Sequence, residues 1–317
     1  MEGALTMRKS MIVPVLLLSL LLTACGGEEA GSGRNSFWSE LGMDETEIVL
    51  VADGREIPAW RYAYWLATAC TAMEAACAGS GVEPDWAMPL EEGTLGDYVA
   101  SQALEDTLLY AAVENRAEKQ GVTLTAEPAG ESIPCPAGFP LEPWQRQELD
   151  AVGLLYRQML SQATAEDSTL EAFADAQGIF TVSRLSFPAG EDREAARRQA
   201  EETFSRINQA VDKTAVFDAF AASESGSVPL TCRVGDGTLP SVEEQAAAAL
   251  EPEQISGILE GENGFSILRR LTPDREVLVS LWLEEALMEQ VSSSVVERRE
   301  AVARLTAVTV CAALTAE

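Results

Sequence analysis

The chain has 317 residues, enough for one large domain or two ordinary ones, and its 47% hydrophobic and 23% charged residues describe a globular protein rather than a disordered one. Its 51 acidic against 22 basic residues give a net charge of −29, which repels phosphate backbones and excludes nucleic acid as a partner. There is no histidine, which removes Ser-His-Asp and Cys-His catalysis, HExxH zinc sites and imidazole acid–base chemistry from consideration.

The chain opens on an export signal. Arg8 and Lys9 precede an apolar run, Met11 to Leu22, that ends in Leu22-Thr23-Ala24-Cys25-Gly26. Twelve helical residues span about 18 Å, short of a hydrocarbon core of roughly 30 Å, so the run reads as a cleaved signal and not a spanning helix. Met7 is an alternative start. The Leu-Thr-Ala-Cys ending resembles the lipobox of bacterial lipoproteins, which implies cleavage before Cys25 and acylation of its sulfur. An ordinary signal peptide with a chance cysteine is the plainer alternative. Residues 25–36, rich in Gly, Glu and Ser, read as a flexible tether.

Beyond the tether, Ile48 to Val51 followed by Asp53-Gly54 reads as a strand and turn. Ile57-Pro58 then starts a helix carrying Trp60, Tyr64, Ala67 and Thr71 at helical spacing, with Trp65 and Met73 broadening the apolar face. A punctuated loop, 79–93, leads into a helix over 94–120 stopped by Gly121. Further helices are predicted at 143–163 and 168–177. At Gly178 the pattern changes to a strand over 179–187, with Phe180, Val182 and Arg184 on one face. Helices follow at 192–211, 215–222 and 241–250, then a strand at 264–271. A long helical stretch over 276–305 and a strand over 307–311 complete the chain. The order β–α–α–α–β over 179–271 suits a compact α+β module.

These pieces together resemble a known family. Val49-Leu-Val-Ala-Asp-Gly-Arg-Glu-Ile-Pro58 is similar to the opening of SurA- and PrsA-type foldases, and the helix from Leu104 to Thr123 is similar to the helix that follows there. Ala247-Ala-Ala-Leu250-Glu-Pro252-Glu-Gln-Ile-Ser256-Gly257 resembles a run of the parvulin prolyl isomerases. Asn263-Gly264-Phe265-Ser266-Ile267-Leu268-Arg269 resembles their closing strand. The resemblance implies a mainly helical α+β protein, with a discontinuous SurA-like helical chaperone domain and an inserted parvulin-like domain. On that basis residues 1–24 are the signal peptide and 25–36 the tether. Residues 37–177 and 274–317 form the helical domain, and 178–273 form the parvulin-like domain.

The departures from the family bear on the chemistry. Arg184 stands where the first parvulin histidine would, Ser266 where the second would, and Ser227 where a Cys or Asp would. The apolar slot for proline maps to Leu239, Glu243 and Ala248, beside Phe265. Prolyl rotation crosses a barrier near ~20 kcal/mol and needs the twisted amide bound better than either planar form. A slot carrying an acid and an alanine, with an arginine where an imidazole would be, predicts weak or absent isomerase activity.

The aromatic cluster Trp60, Tyr62, Tyr64 and Trp65 is core by default, with a peptide groove at Trp60 and Tyr64 as the functional alternative. Six cysteines are too few for a disulfide scaffold. Cys70 and Cys77 read as small buried residues, and sequence does not fix the state of Cys311. Cys135 and Cys232 read as the more reactive thiols, with a bridge between them left open. No cofactor or metal is implied. The expected function is a lipid-anchored foldase or chaperone on the extracytoplasmic face of the membrane, with unfolded secreted polypeptides as clients and homo-oligomerisation left open. A histidine-free active isomerase and a solute-binding or structural lipoprotein remain as alternatives.

Overall fold

A computed structural model of the protein describes residues 34–130, 133–223 and 228–316. Cys25, the signal segment and the tether up to residue 33 lie outside the described residues, as does Ser227. The protein is α+β and mainly helical, with two small antiparallel sheets. By its contacts it divides into two units, Thr164–Trp282 and the described residues up to Ala163 together with those from Leu283. The divisions fall at 163/164 and 282/283 rather than at 177/178 and 273/274, because the helix before Gly178 packs on the strand that follows it.

In the unit built from both chain ends, helix α1 (Arg34–Glu40) precedes strands β1 (Ile48–Ala52) and β2 (Arg55–Pro58). Residues 34–36, read as tether, are therefore already helical. Asp53 and Gly54 both take positive φ, 49° and 85°, the backbone of a two-residue hairpin turn whose twist matches the strands it joins. Helix α2 (Ala59–Ala78) begins directly after Pro58, and α3 (Leu95–Gln120) opens on a capping box. There Thr94 Oγ1 accepts from the Asp97 amide at 3.2 Å while Asp97 accepts from the Thr94 amide at 2.9 Å. Helix α4 (Pro143–Gln162) has proline at its first position, where the missing N–H costs nothing. These helices pack through aromatic pairs, Trp65 on Tyr110 at 4.7 Å and Trp60 on Trp144 at 5.5 Å between ring centroids.

The long carboxy-terminal helix is shorter than the sequence suggests. Helix α9 (Arg275–Ser293) ends in a run of three serines, and the β-branched Val295 and Val296 that follow take up strand β7 (Val296–Arg298). β7 pairs antiparallel with β1, so the sheet order is β2-β1-β7. The turn residue Asp53 holds the junction: its carboxylate accepts from the Val295 amide at 2.9 Å and from the Ser294 hydroxyl at 2.9 Å. After a 3-10 turn, Glu300–Arg304, residues Ala307–Leu314 form helix α10 and not the strand expected over 307–311. Thr306 caps it, and Ala307, Val310 and Ala313 bury one helical face, so the cap and the packing decide against the β-branched alternation.

In the other unit, helix α5 (Asp167–Gln177) stops at Gly178, whose φ of 63° turns the chain into β3 (Ile179–Pro188). Helices α6 (Arg193–Gln209) and α7 (Lys213–Ser223), strand β4 (Leu230–Arg233), helix α8 (Ser241–Ala249), and strands β5 (Leu259–Gly261) and β6 (Gly264–Leu271) follow. The sheet has four strands in the order β4-β3-β6-β5, so β4 and β5 are additions to the two strands expected. β3 and β6 form its centre and pair continuously from Thr181↔Leu271 to Pro188↔Gly264. Gly264 has a φ of 144°, and a Cβ there would lie 2.2 Å from the Phe187 carbonyl oxygen, so only glycine closes this pair.

Candidate functional site

Strand alternation sorts the central sheet into two faces. On one, Leu185, Phe187, Phe265 and Ile267 pack against α6 and α7 around the fully buried Phe217. On the other, Phe180, Val182 and Leu268 pack with Cys232, Leu239 and Ala247 beneath α8. Arg184 and Ser266 belong to this second face. Arg184 lies directly across from Leu268, and Ser266 across from Ser186, so the two expected site residues are diagonal neighbours on adjacent strands. That spacing corresponds to about 7–8 Å between Cβ atoms.

Two arginines hold α8 over this face. Arg184 reaches from β3 to the first turn of α8, where its Nη1 lies 3.2 Å from Glu243 Oε2. The Arg184 side chain is 45% exposed and that of Glu243 13%, so the arginine lies toward the solvent edge and its partner faces inward. Arg270 does the same at the other end of the helix. Its Nη1 donates to the Leu250 carbonyl at 2.7 Å and to that of Ala248 at 3.2 Å, satisfying carbonyls that a helix end leaves unpaired. Its guanidinium stacks over Phe180 at 5.8 Å.

The residues expected to line a proline slot are therefore divided. Arg184, Ser266, Leu239 and Glu243 share the α8 face. Ala248 is exposed at the far end of α8, with its carbonyl bound by Arg270. Phe265 faces the other way, buried against α6 and α7 with the Arg193 guanidinium 5.2 Å from its ring. The face itself is filled: Leu239 is buried, and Glu243, which sequence placed in the slot, is engaged by Arg184. The missed feature is this pairing. An arginine and an acid at two positions that should both be apolar or neutral is the signal that could have revealed it.

Trp60 and Tyr64 take the default reading and sit in the core rather than lining a groove. Trp60 is 1% exposed and Tyr64 2%, and Tyr64 donates its hydroxyl to the Pro134 carbonyl at 2.9 Å. Burial, with Tyr110 and Cys135 nearby, pushes the Tyr64 hydroxyl well above the ordinary tyrosine value. Apolar side chains reach solvent instead at Met88 and Tyr98, with Trp144 also exposed. The loop carrying Met88 folds onto the start of α3: the Met88 carbonyl accepts from the Leu95 amide at 2.9 Å, and the Trp86 carbonyl from Gly96 at 2.9 Å. Tyr98 stands one turn further along that helix.

The cysteine readings also change. Cys232 is buried and its thiol is pushed up to about 11, first by burial and then by Asp236 and Glu244, so it is not a reactive thiol. Burial likewise raises the half-buried Cys135 thiol, which donates to the Phe139 carbonyl at 3.4 Å. Both are free and fall in different units, so the Cys135–Cys232 bridge is not formed. Among the described residues no group of three or more Cys, Asp or Glu side chains could hold a metal ion, and no helix is long and apolar enough to cross a membrane.

No sequence family matches the chain, and no curated protein does. In structure it is similar to a SurA-like chaperone from Campylobacter jejuni at 12% identity, covering 78% of this chain and 92% of that one with a TM-score of 0.25. It is similar to the peptidylprolyl isomerase PrsA of Bacillus cereus at 13% identity, over 79% and 87% of the two chains, TM-score 0.25. It is also similar to the foldase protein PrsA of Lactococcus lactis at 13% identity, over 82% and 97%, TM-score 0.26. The likeness runs along most of each chain, but superposition this loose carries no weight for the function of this one.

Proposed function

We propose that the protein is a lipid-anchored, extracytoplasmic chaperone of the SurA/PrsA type that holds unfolded polypeptides, and that its parvulin-like module does not catalyse prolyl isomerisation. In this reading the unit built from both chain ends is the chaperone domain, Thr164–Trp282 is the inserted module, and acylated Cys25 is the anchor. The observation that carries the second half is the ion pair between Arg184 and Glu243. A charged pair stands where a proline ring would need a dry, apolar slot, and desolvating it to admit a ring would cost more than the ring's burial returns. The same pair speaks against Arg184 as a donor to a twisting amide, since it already has an acceptor. Client binding rests on the exposed Met88 and Tyr98, side chains suited to irregular apolar segments.

Two assays on the same preparation test this. Light scattering from a reduced, unfolding client is expected to fall when the protein is present, and Met88→Ser/Tyr98→Ser is expected to lose most of that effect while keeping the far-ultraviolet spectrum. In a protease-coupled proline assay the slow phase is expected to stay at its uncatalysed lifetime of roughly 10–100 s. Catalysis at a rate typical of parvulins refutes the inactive module. Unchanged scattering refutes the chaperone.

A further inference from the structure

The carboxy-terminal turns of α3 and α9 line a common cleft of about 930 Å³, with Asp53 of the β1–β2 turn also at its wall. The cleft lies within the unit built from the two chain ends. Arg116 lines it, half-buried and with its Nε enclosed, yet among the described residues its guanidinium has neither an ion-pair nor a hydrogen-bond partner. Every other arginine described as buried or half-buried is engaged, as Arg61 is by Glu114 and Arg146 by the Ile133 carbonyl. In a chain with 51 acids to 22 bases, a cation left out of reach of every carboxylate runs against the odds, and an enclosed donor without an acceptor is costly. Lys119, one turn further along α3, lines the same cleft and also has no partner among the described residues. The acids of the cleft do not cancel these two charges. Asp53 accepts from the Ser294 hydroxyl and the Val295 amide, and Glu118 lies 3.1 Å from Arg55 Nη2. Of the three, only Glu289 has no partner among the described residues. Helix-end carbonyls, whose partial charge repels an anion, are in part covered: the Gly121 and Val122 amides donate to Glu118 and Ala117, and the Ser293 and Ser294 hydroxyls to Glu289 and Gln290.

We propose that this cleft binds a polypeptide through a carboxylate, with Arg116 as the principal donor and Lys119 as the second cation. That a polypeptide bears the carboxylate rests on the chaperone reading, whereas the anion site itself rests on Arg116. The planar guanidinium presents paired N–H groups at the spacing of two carboxylate oxygens, which a point charge does not. Glu289 sets the specificity. Its charge repels a dianion such as phosphate, while its oxygens accept from N–H donors, so a singly charged carboxylate set among peptide amides fits both signs of the cleft. Two sources present that group: an Asp or Glu side chain within a client segment, and a chain's terminal carboxylate.

The test is isothermal titration calorimetry on the full chain at low ionic strength, where exposed charges are least screened. The probes are short acetylated Gly-Ser peptides: one with an internal Asp and an amidated end, its Asn counterpart, one with a free terminal carboxylate, and its amide. One or both carboxylate peptides are expected to bind about 10- to 100-fold more tightly than the neutral counterpart, and which of them does so names the source. Arg116→Gln is expected to erase that preference and leave the urea midpoint unchanged, because Arg116 holds nothing within the described fold. Lys119→Gln, at an exposed position, is expected to weaken the carboxylate peptide by about 2- to 5-fold. The proposal is overturned if neither carboxylate peptide binds, if the neutral peptides bind equally, if the preference survives Arg116→Gln, or if inorganic phosphate binds as tightly as the peptides. A fall in the urea midpoint of Arg116→Gln overturns it as well, since Arg116 would then be engaged within the fold. A parent chain that shows the carboxylate preference but does not suppress client scattering sinks the chaperone reading and leaves this site standing. The converse removes this site alone.

Discussion

Glu114→Gln is expected to destabilise the unit built from the two chain ends, through the charge it strands. Arg61 is 6% exposed on α2, among the least accessible charged side chains described. Its Nη1 donates to Glu114 Oε1 at 3.2 Å, and its Nη2 lies 2.9 Å from Oε2, a contact close enough for strong attraction though poorly aligned as a hydrogen bond. The ring of Tyr110 lies 5.9 Å from the guanidinium, and Arg55 approaches the same carboxylate at 3.6 Å. Glutamine keeps the shape and removes the charge. Breaking a buried pair from one side costs about 3–5 kcal/mol. Glu148 lowers that figure here: burial raises its carboxyl, Arg61 opposes the rise, and loss of the Glu114 charge favours its ionised form. The expected loss is therefore about 2–3 kcal/mol, and at a urea slope of about 2 kcal/mol per molar the midpoint falls by about 1–1.5 M. Tryptophan emission reads this unit, because Trp38, Trp60, Trp65, Trp86 and Trp144 lie within it and only Trp282 does not. Replacing both partners, Arg61→Met/Glu114→Leu, should restore the midpoint to within about 1 kcal/mol of the parent. A single variant costing under about 0.5 kcal/mol, or a double variant as damaged as the single, would refute the reasoning.

Asp106 makes a pH-dependent contribution. Burial, and secondarily Glu105, raises its carboxyl from 3.8 to about 7, so the stability it contributes is complete below pH 3.8 and is lost as pH rises through about 7. Asp106→Asn should therefore stabilise the chain by about 1–2 kcal/mol more at about pH 8 than at about pH 4, a figure reduced for its partial exposure. Equal differences in urea midpoint at the two pH values would count against it. Gly138→Ala should loosen α10: the residue has φ +79°, and a Cβ there would sit 2.2 Å from the Leu314 carbonyl oxygen. A loss of about 2 kcal/mol and faster alkylation of Cys311 are expected, and an unchanged alkylation rate would show that Leu314 moves aside without releasing the helix.

Much of the fold was legible where local chemistry agrees with tertiary packing. Asp53-Gly54 fixes a hairpin turn by its own backbone preferences, Thr94 and Asp97 announce a helix start, and Gly178 stops one. The failures lie where two local signals compete. Val308, Val310 and their threonine neighbours alternate like a strand, yet Thr306 caps a helix and buried packing selects it. Helical spacing is the same for a core and for a groove, so Trp60 and Tyr64 read as core only by default, and the structure buries them.

The sequence alone establishes the charge, the missing imidazoles and the positions of Arg184 and Ser266 in successive strand-like segments, because composition and period-two alternation are local properties. Register across β3 and β6 and the Arg184–Glu243 pair are properties of the folded chain. They bring together residues 59 and 82 positions apart, and such contacts are set by how apolar faces close on one another, which no local preference encodes.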